Sequence, residues 1–235
     1  VSADREPSAG PLAELRVLDL STQIAGPYCT KLLVDAGADV VKVEEHGGDP
    51  LRRWSASGSA IPAGEDGALF RYLNASKRSI ALDLESPAGR ETLLDLAATA
   101  DLVIESRGPG ALERLGLGFE TLRARQPTLS LVSISPWGGS GPWAERPCTE
   151  FTLQAATGST GYRGLPGRFP VAAGGRLGEW AGGSFAAVGA LAAWLSARRA
   201  GAGQHVDLSL FEVMLLCLTI YHDLDGQWVE GPLAR

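Results

Sequence analysis

Short aliphatic, β-branched runs alternate along the chain with longer stretches of helical periodicity. Residues 15–20 (LRVLDL) read as a strand, 27–36 as a helix closed by Gly37, and 39–44 (DVVKVE) as a second strand. A Gly/Ser/Pro-rich loop follows over 47–67. The pattern then gives a strand over 79–84, a helix from Pro87 to about Ala98, and a strand over 101–105 (DLVIE). Pro87 suits the first turn of its helix, where a missing N–H is harmless. Two short helical pieces reach Arg125, and 129–134 (LSLVSI) is a fifth strand. A short helix over 151–157 and a long one over 183–199 come next, the latter stopped by Gly201 and Gly203. A sixth strand over 205–208 and an apolar helix complete the pattern. Strands separated by helices of this length predict a doubly wound α/β fold, a mostly parallel open sheet covered on both faces. The organisation expected from the pattern is a polar tail over 1–14 followed by one domain.

Composition narrows the function classes. Of 235 residues 45% are hydrophobic and 20% charged, which fits a packed core. Lys and Arg number 21 against 27 Asp and Glu, a net charge of -6 that argues against nucleic-acid binding. Cys29, Cys148 and Cys217 are odd in number and widely spaced, supporting neither disulfides nor a metal site, and a cytoplasmic setting is the default. The apolar stretches over 185–195 and 213–220 are shorter than the roughly 20 residues of a membrane span, so no membrane partner is expected.

Standard nucleotide motifs are missing. After the first strand comes Ser21-Thr22-Gln23-Ile24-Ala25-Gly26-Pro27, without G-x-G-x-x-G, and no P-loop string occurs anywhere. Gly182-Gly183-Ser184-Phe185-Ala186 is one residue off a nucleophile elbow, although small residues there fit a closely packed helix start better.

Five strings in order resemble the class III coenzyme A transferases, the family of formyl-CoA transferase, carnitine CoA-transferase and the α-methylacyl-CoA racemases. They are VLDLSTQIAGPYCTKLLVDAGADVVKVE at 17–44, LNASKRSIALDL at 73–84, ADLVIESRGPGALERLGLG at 100–118, ISPWGGSGPWAERP at 134–147, and LGEWAGGSFAAVGALAAWLSARRAGAGQHVDLSLFEVML at 177–215. The resemblance implies the Rossmann-like large domain of that family over 15–215. The segment over 216–235 would then lead toward a small second domain, most of which the chain does not carry. It also implies coenzyme A and acyl-CoA as substrates with no permanently bound cofactor, a small carboxylic acid as partner, and a homo-oligomer or a hetero-oligomer with a related subunit.

In the transferase branch an Asp in an L-G-D context attacks the acyl-CoA thioester, and the matching position here is Glu179. Lying just before a long helix, Glu179 is either that nucleophile or simply an acid favoured by the helix dipole. The extra methylene moves a carboxylate by about 1 Å, a displacement that can cost about 100-fold in rate. A non-catalytic, CoA-binding or partner subunit is therefore the alternative reading. An acyl-CoA racemase is disfavoured, because its His falls in the stretch Cys148-Thr149-Glu150; Glu150 is either a substitute base or a helix-start acid. The same resemblance puts Ala25 and Gly26 beside the pantetheine and Lys77 and Arg78 near the nucleotide phosphates. It makes Arg114 a further phosphate or adenine contact, and lets Arg107 supply charge where relatives carry E-N-[FY]; the alternative for these cations is an ordinary solvated charge. Trp137, Trp143 and Trp180 could line an acyl site or pack in the core. Substrate specificity is expected from the loops over 47–67 and 162–175.

Overall fold

The computed structural model describes residues 10–160, 163, 168–169 and 171–218. Six strands run parallel: β1 (Arg16–Asp19), β2 (Asp39–Glu44), β3 (Arg78–Ala81), β4 (Leu102–Glu105), β5 (Ser130–Ser135) and β6 (His205–Ser209). Their order is β3-β2-β1-β4-β5-β6. The chain moves outward from β1 to β3, then crosses back and moves outward from β4, so the winding direction reverses between β1 and β4. Loops leaving those two strands diverge and open a crevice beyond their carboxyl ends, the usual ligand position in such sheets.

Eight helices accompany the strands among the described residues: α1 (Ala25–Asp35), α2 (Ala68–Asn74), α3 (Pro87–Ala97), α4 (Ala111–Arg114), α5 (Phe119–Arg125), α6 (Glu150–Ala156), α7 (Leu177–Ala200) and α8 (Leu210–Leu218). The alternation of strand side chains divides the core in two. Val17, Ile104, Val132 and Ile134 face α1, α7 and α8, whereas Leu18, Val103 and Leu131 face α3, α4 and α5. Burial on both faces explains the near-continuous apolar runs of the central strands.

Several features depart from the sequence pattern, among them α2, where no helix is predicted, and β3, which ends at Ala81 rather than 84. The expected polar tail ends early: Leu12 packs on the core, its N–H donating to the Ala36 carbonyl (3.0 Å), while residues 1–9 lie outside the described residues. The 47–67 loop contains a 3-10 turn, Pro50–Arg53, capped by the Asp49 carboxylate, which accepts from the Leu51 N–H (2.9 Å). And α7 begins at Leu177, six positions before the predicted start, so Glu179 lies inside its first turn rather than ahead of it. Of the expected linker, 216–218 finish α8 and 219–235 lie outside the described residues.

The early start of α7 has a packing cause. A methyl on Gly183 would lie 2.6 Å from the Ala25 carbonyl oxygen, one on Gly182 2.1 Å from Leu210 Cδ2, and one on Gly178 2.6 Å from Met214 Sδ. These glycines cost helix propensity but let α7 lie against both α1 and α8. The 24-residue α7 is long and apolar enough to cross a membrane by length and composition, unlike the shorter stretch read from the sequence. Its apolarity on several faces is what contact with α1, α8, β5 and β6 requires.

Candidate active site

Two cavities flank the crevice between β1 and β4, and Thr22 and Ser106 line both. These two residues also tie the diverging loops together, the Thr22 N–H donating to Ser106 Oγ (3.0 Å).

The smaller cavity, about 180 Å3, holds Glu179. Its walls combine Ile134, Leu153 and Leu210 with Ser135, Thr149 and Cys148. The Glu179 side chain is 13% exposed and its two oxygens are used differently. Oε2 accepts from the backbone N–H groups of Ile24 (2.9 Å) and Ala25 (3.3 Å), at the start of α1. Oε1 pairs with the Arg176 guanidinium, which also donates to the Gln23 side-chain oxygen. Burial pushes the Glu179 carboxyl above the usual range and nearby Glu150 adds to this, while Arg176 and the two amides pull it down.

The residues on either side of the carboxylate are held in a costly conformation. Gln23 (φ 65°) and Arg176 (φ 57°) both occupy the left-handed region without being glycine. Each such residue costs ~1–3 kcal/mol and persists only where its surroundings fix it. Here the Gln23–Arg176 hydrogen bond and the Arg176–Glu179 pair join the β1–α1 turn to the start of α7. Glu150 completes the support: its Oε1 accepts from the Gly178 N–H (3.0 Å) and Gln154 Nε2 (2.8 Å).

The larger cavity, about 720 Å3, lies over the carboxyl ends of β2, β1 and β4. Arg107 and Arg114 line it, together with Glu44, Glu45 and Glu85. Arg107 pairs with Glu45, and its N–H donates to the buried Glu105 carboxylate (2.6 Å), fixing the turn that follows β4. Arg114 donates to the Pro109 carbonyl (3.1 Å), curling α4 back over its own entry.

The residues singled out from sequence thus fall into three groups. Glu179 and Ala25 meet in one cavity, and Arg107 and Arg114 meet in the other. The remaining three stand elsewhere. Gly26 is pressed against Ser21, whose Cβ would lie 2.1 Å from an added methyl, so its missing side chain serves the packing of α1 on the turn after β1. Lys77 is enclosed, its Nζ donating to Asp19 Oδ2 (3.0 Å), the Pro27 carbonyl (2.9 Å) and Asn74 Oδ1 (2.9 Å). With its side chain 1% exposed, it has no face to offer a phosphate. Arg78 pairs with Asp39 at the amino end of β3 and β2, the opposite end of the sheet from the crevice.

Other candidates also resolve. Ser184 Oγ donates to the Trp180 carbonyl (3.1 Å) within α7, and Gly182 and Gly183 serve helix packing, which removes the nucleophile-elbow reading. Thr149 caps α6, accepting from the Thr152 N–H (3.2 Å). Trp137 is buried edge-on to Trp143 (5.2 Å between ring centres) and packs on Phe211, and Trp180 packs edge-on to Tyr28 (4.7 Å); none of the three lines the cavity that holds Glu179. Of the 162–175 loop, Tyr162, 164–167 and Val-preceding Pro170 lie outside the described residues.

Sequence reasoning assigned no role to Gln23, Arg176 or Ser106. Arg176 stands three residues before Glu179, a spacing that joins opposite charges on a helix, and this was a readable signal. The left-handed backbone of Gln23 and Arg176 left none.

A six-stranded parallel sheet in this order, with a buried carboxylate held by backbone amides at the winding reversal, defines a doubly wound α/β protein with its candidate site at the switch point. The chain belongs to CoA-transferase family III, whose family model matches residues 12–226. It is 36% identical over 219 residues to a succinyl-CoA--D-citramalate CoA-transferase of Chloroflexus aurantiacus, covering 92% of this chain and 52% of that protein. It is 37% identical over 222 residues to the BbsE subunit of succinyl-CoA:(R)-benzylsuccinate CoA-transferase from Thauera aromatica, covering 93% and 54%. A CAIB/BAIF family protein from Brucella suis has the same fold, with a TM-score of 0.84 at 36% identity over 89% of this chain and 56% of that one. The chain spans about half the length of the curated relatives it matches.

Proposed function

We propose that this protein transfers coenzyme A from an acyl-CoA to a carboxylic acid, with Glu179 as the covalent nucleophile. The observation that carries this reading is the division of labour at its carboxylate: one oxygen on two backbone amides, the other on a guanidinium, in a cavity that meets a second cavity lined by Arg107 and Arg114. In this reading the nucleotide end of coenzyme A lies in the larger cavity. The pantetheine passes Thr22 and Ser106 to bring its sulfur to Glu179.

The steps balance without a net proton. Glu179 Oε1 attacks the thioester carbon; the C–S bond breaks and the CoA thiolate leaves with the electron pair, giving a mixed anhydride. The thiolate then attacks Glu179 Cδ, the Cδ–Oε1 bond breaks, and the donor acid departs as its carboxylate. Negative charge in this second step develops on Oε2, where the Ile24 and Ala25 N–H groups and the start of α1 await it. The acceptor carboxylate attacks the resulting glutamyl thioester, and the two steps run in reverse.

In this reading the longer reach of Glu carries its oxygen from the first turn of α7 to the amides at the start of α1. E179Q keeps the shape and removes the nucleophile, and is expected to lower transfer from succinyl-CoA, the donor named in the relatives, by about 1,000-fold or more. E179D draws the carboxylate back by about 1 Å and is expected to lose about 100-fold. Unchanged turnover by E179Q would overturn the assignment.

The exposed apolar side chains of α7, Phe185, Val188 and Leu195, support association into an oligomer. A monodisperse monomer in light scattering would count against that part of the reading. The segment over 216–235 is proposed to lead toward a small second domain.

A further inference from the structure

We propose that Arg176 is the residue that receives the substrate carboxylates, holding the departing acid and then the incoming one. This rests on the reading of Glu179 as nucleophile.

The inference comes from which oxygen does what. Oε2 is fixed by the Ile24 and Ala25 amides, so Oε1, paired with Arg176, is the oxygen that joins the acyl carbon. When the thiolate attacks Cδ and the Cδ–Oε1 bond breaks, the departing acid takes Oε1 with it. The new carboxylate is therefore formed in contact with the guanidinium. The same event makes Glu179 a neutral thioester and deprives Arg176 of its anion.

Arg176 is built to accept a replacement. It lines the cavity, its side chain is 39% exposed, and Gln23, its other partner, is neutral. A guanidinium fork holds a carboxylate through two parallel hydrogen bonds, which also orients one oxygen. An acceptor seated there directs that oxygen at Cδ from the position Oε1 has just left. The ion pair thus alternates between the protein's own carboxylate and the substrate's.

The test separates anionic from neutral attack on one intermediate. The thioester form is prepared with succinyl-CoA, then discharged either by acetate or by neutral hydroxylamine. R176Q is expected to slow acetate discharge by about 100-fold more than it slows hydroxylamine discharge, and R176K to recover part of that difference. A purely structural role slows both reactions together. Nitrate, a planar monoanion, gives a second measurement on the unaltered protein: compared with matched chloride, it is expected to compete with acetate and leave hydroxylamine discharge untouched. Acetate discharge indifferent to both R176Q and nitrate overturns the role of Arg176 alone. Failure of the unaltered protein to form any adduct on Glu179 contradicts the nucleophile reading beneath it.

Discussion

At the scale of single residues, the proposed chemistry depends on keeping a carboxylate ionised where burial disfavours it. Burial and Glu150 raise the Glu179 pKa above its ordinary 4.5, and Arg176 with the two amides limits the rise. In the proposed mechanism only the ionised form attacks, so the transfer rate is expected to rise with pH through a midpoint above 4.5 and to be lost as pH falls through it. E150Q removes the like charge while keeping an oxygen for the Gly178 N–H, so the acid limb of the profile is expected to move to lower pH. A pH–rate profile unmoved by E150Q would remove Glu150 from the electrostatics of the site. Glu179 was picked out by the resemblance of its Leu177-Gly178-Glu179 string to the transferases' L-G-D context, and its carboxylate lies in a cavity at the crevice. Its partners were not picked out. The amides belong to a turn some 150 positions away, and nothing in residue identity marks Gln23 and Arg176 for left-handed backbone.

At the scale of elements, the site is as good as the contact between α1 and α7, since one carries the amides and the other the carboxylate. Gly183 sets that contact through its approach to the Ala25 carbonyl. G183A forces the helices apart at backbone atoms, and is expected to cost about 1–3 kcal/mol of stability together with a loss of transfer. Chemical denaturation and kinetics on the same preparation check both; wild-type stability would mean that the helices adjust without cost. Most elements were readable from periodicity: β2 spans its predicted 39–44, and Pro87 begins α3 with Ser86 as its cap, accepting from the Gly89 N–H (3.0 Å). Two were not. The first six residues of α7 include Gly178 and Gly182, which read as a loop until their neighbours are known. The seven-residue α2 is too short to declare a period, and its Phe70 and Leu73 are held by tertiary contact with Leu51 and Ile24.

At the scale of the whole molecule, a buried charge network fastens β1, β2 and the segment entering β3 beneath the crevice. Asp19 is fully buried with Lys42 and Lys77, and Lys42 also reaches Asp49 (3.4 Å). Burial alone would raise the Asp19 carboxyl; the two ammonium groups and hydrogen bonds from Ser21 and Thr30 hold it well below the ordinary carboxylate range. Its contribution to stability is therefore complete above the ordinary value of 3.8 and is lost only as pH falls toward the lower folded value. D19N leaves buried ammonium groups without their anion and is expected to cost about 3–5 kcal/mol in denaturant unfolding at neutral pH; a near-neutral effect would show that the cations find other partners. Sequence could predict the parallel sheet and its covered faces, because alternating strands and helices have few other solutions. It could not tell which cations line the crevice. Lys77 and Arg78 are adjacent and look alike in sequence, yet one is sealed in the core and the other faces solvent at the far end of the sheet. The central claim, a covalent intermediate on Glu179, is tested most directly by intact mass followed by peptide mapping after incubation with succinyl-CoA and trapping with hydroxylamine. The account predicts an adduct on the peptide containing Glu179, absent in E179Q. An unmodified chain that still binds coenzyme A, or an adduct on another residue, would contradict it.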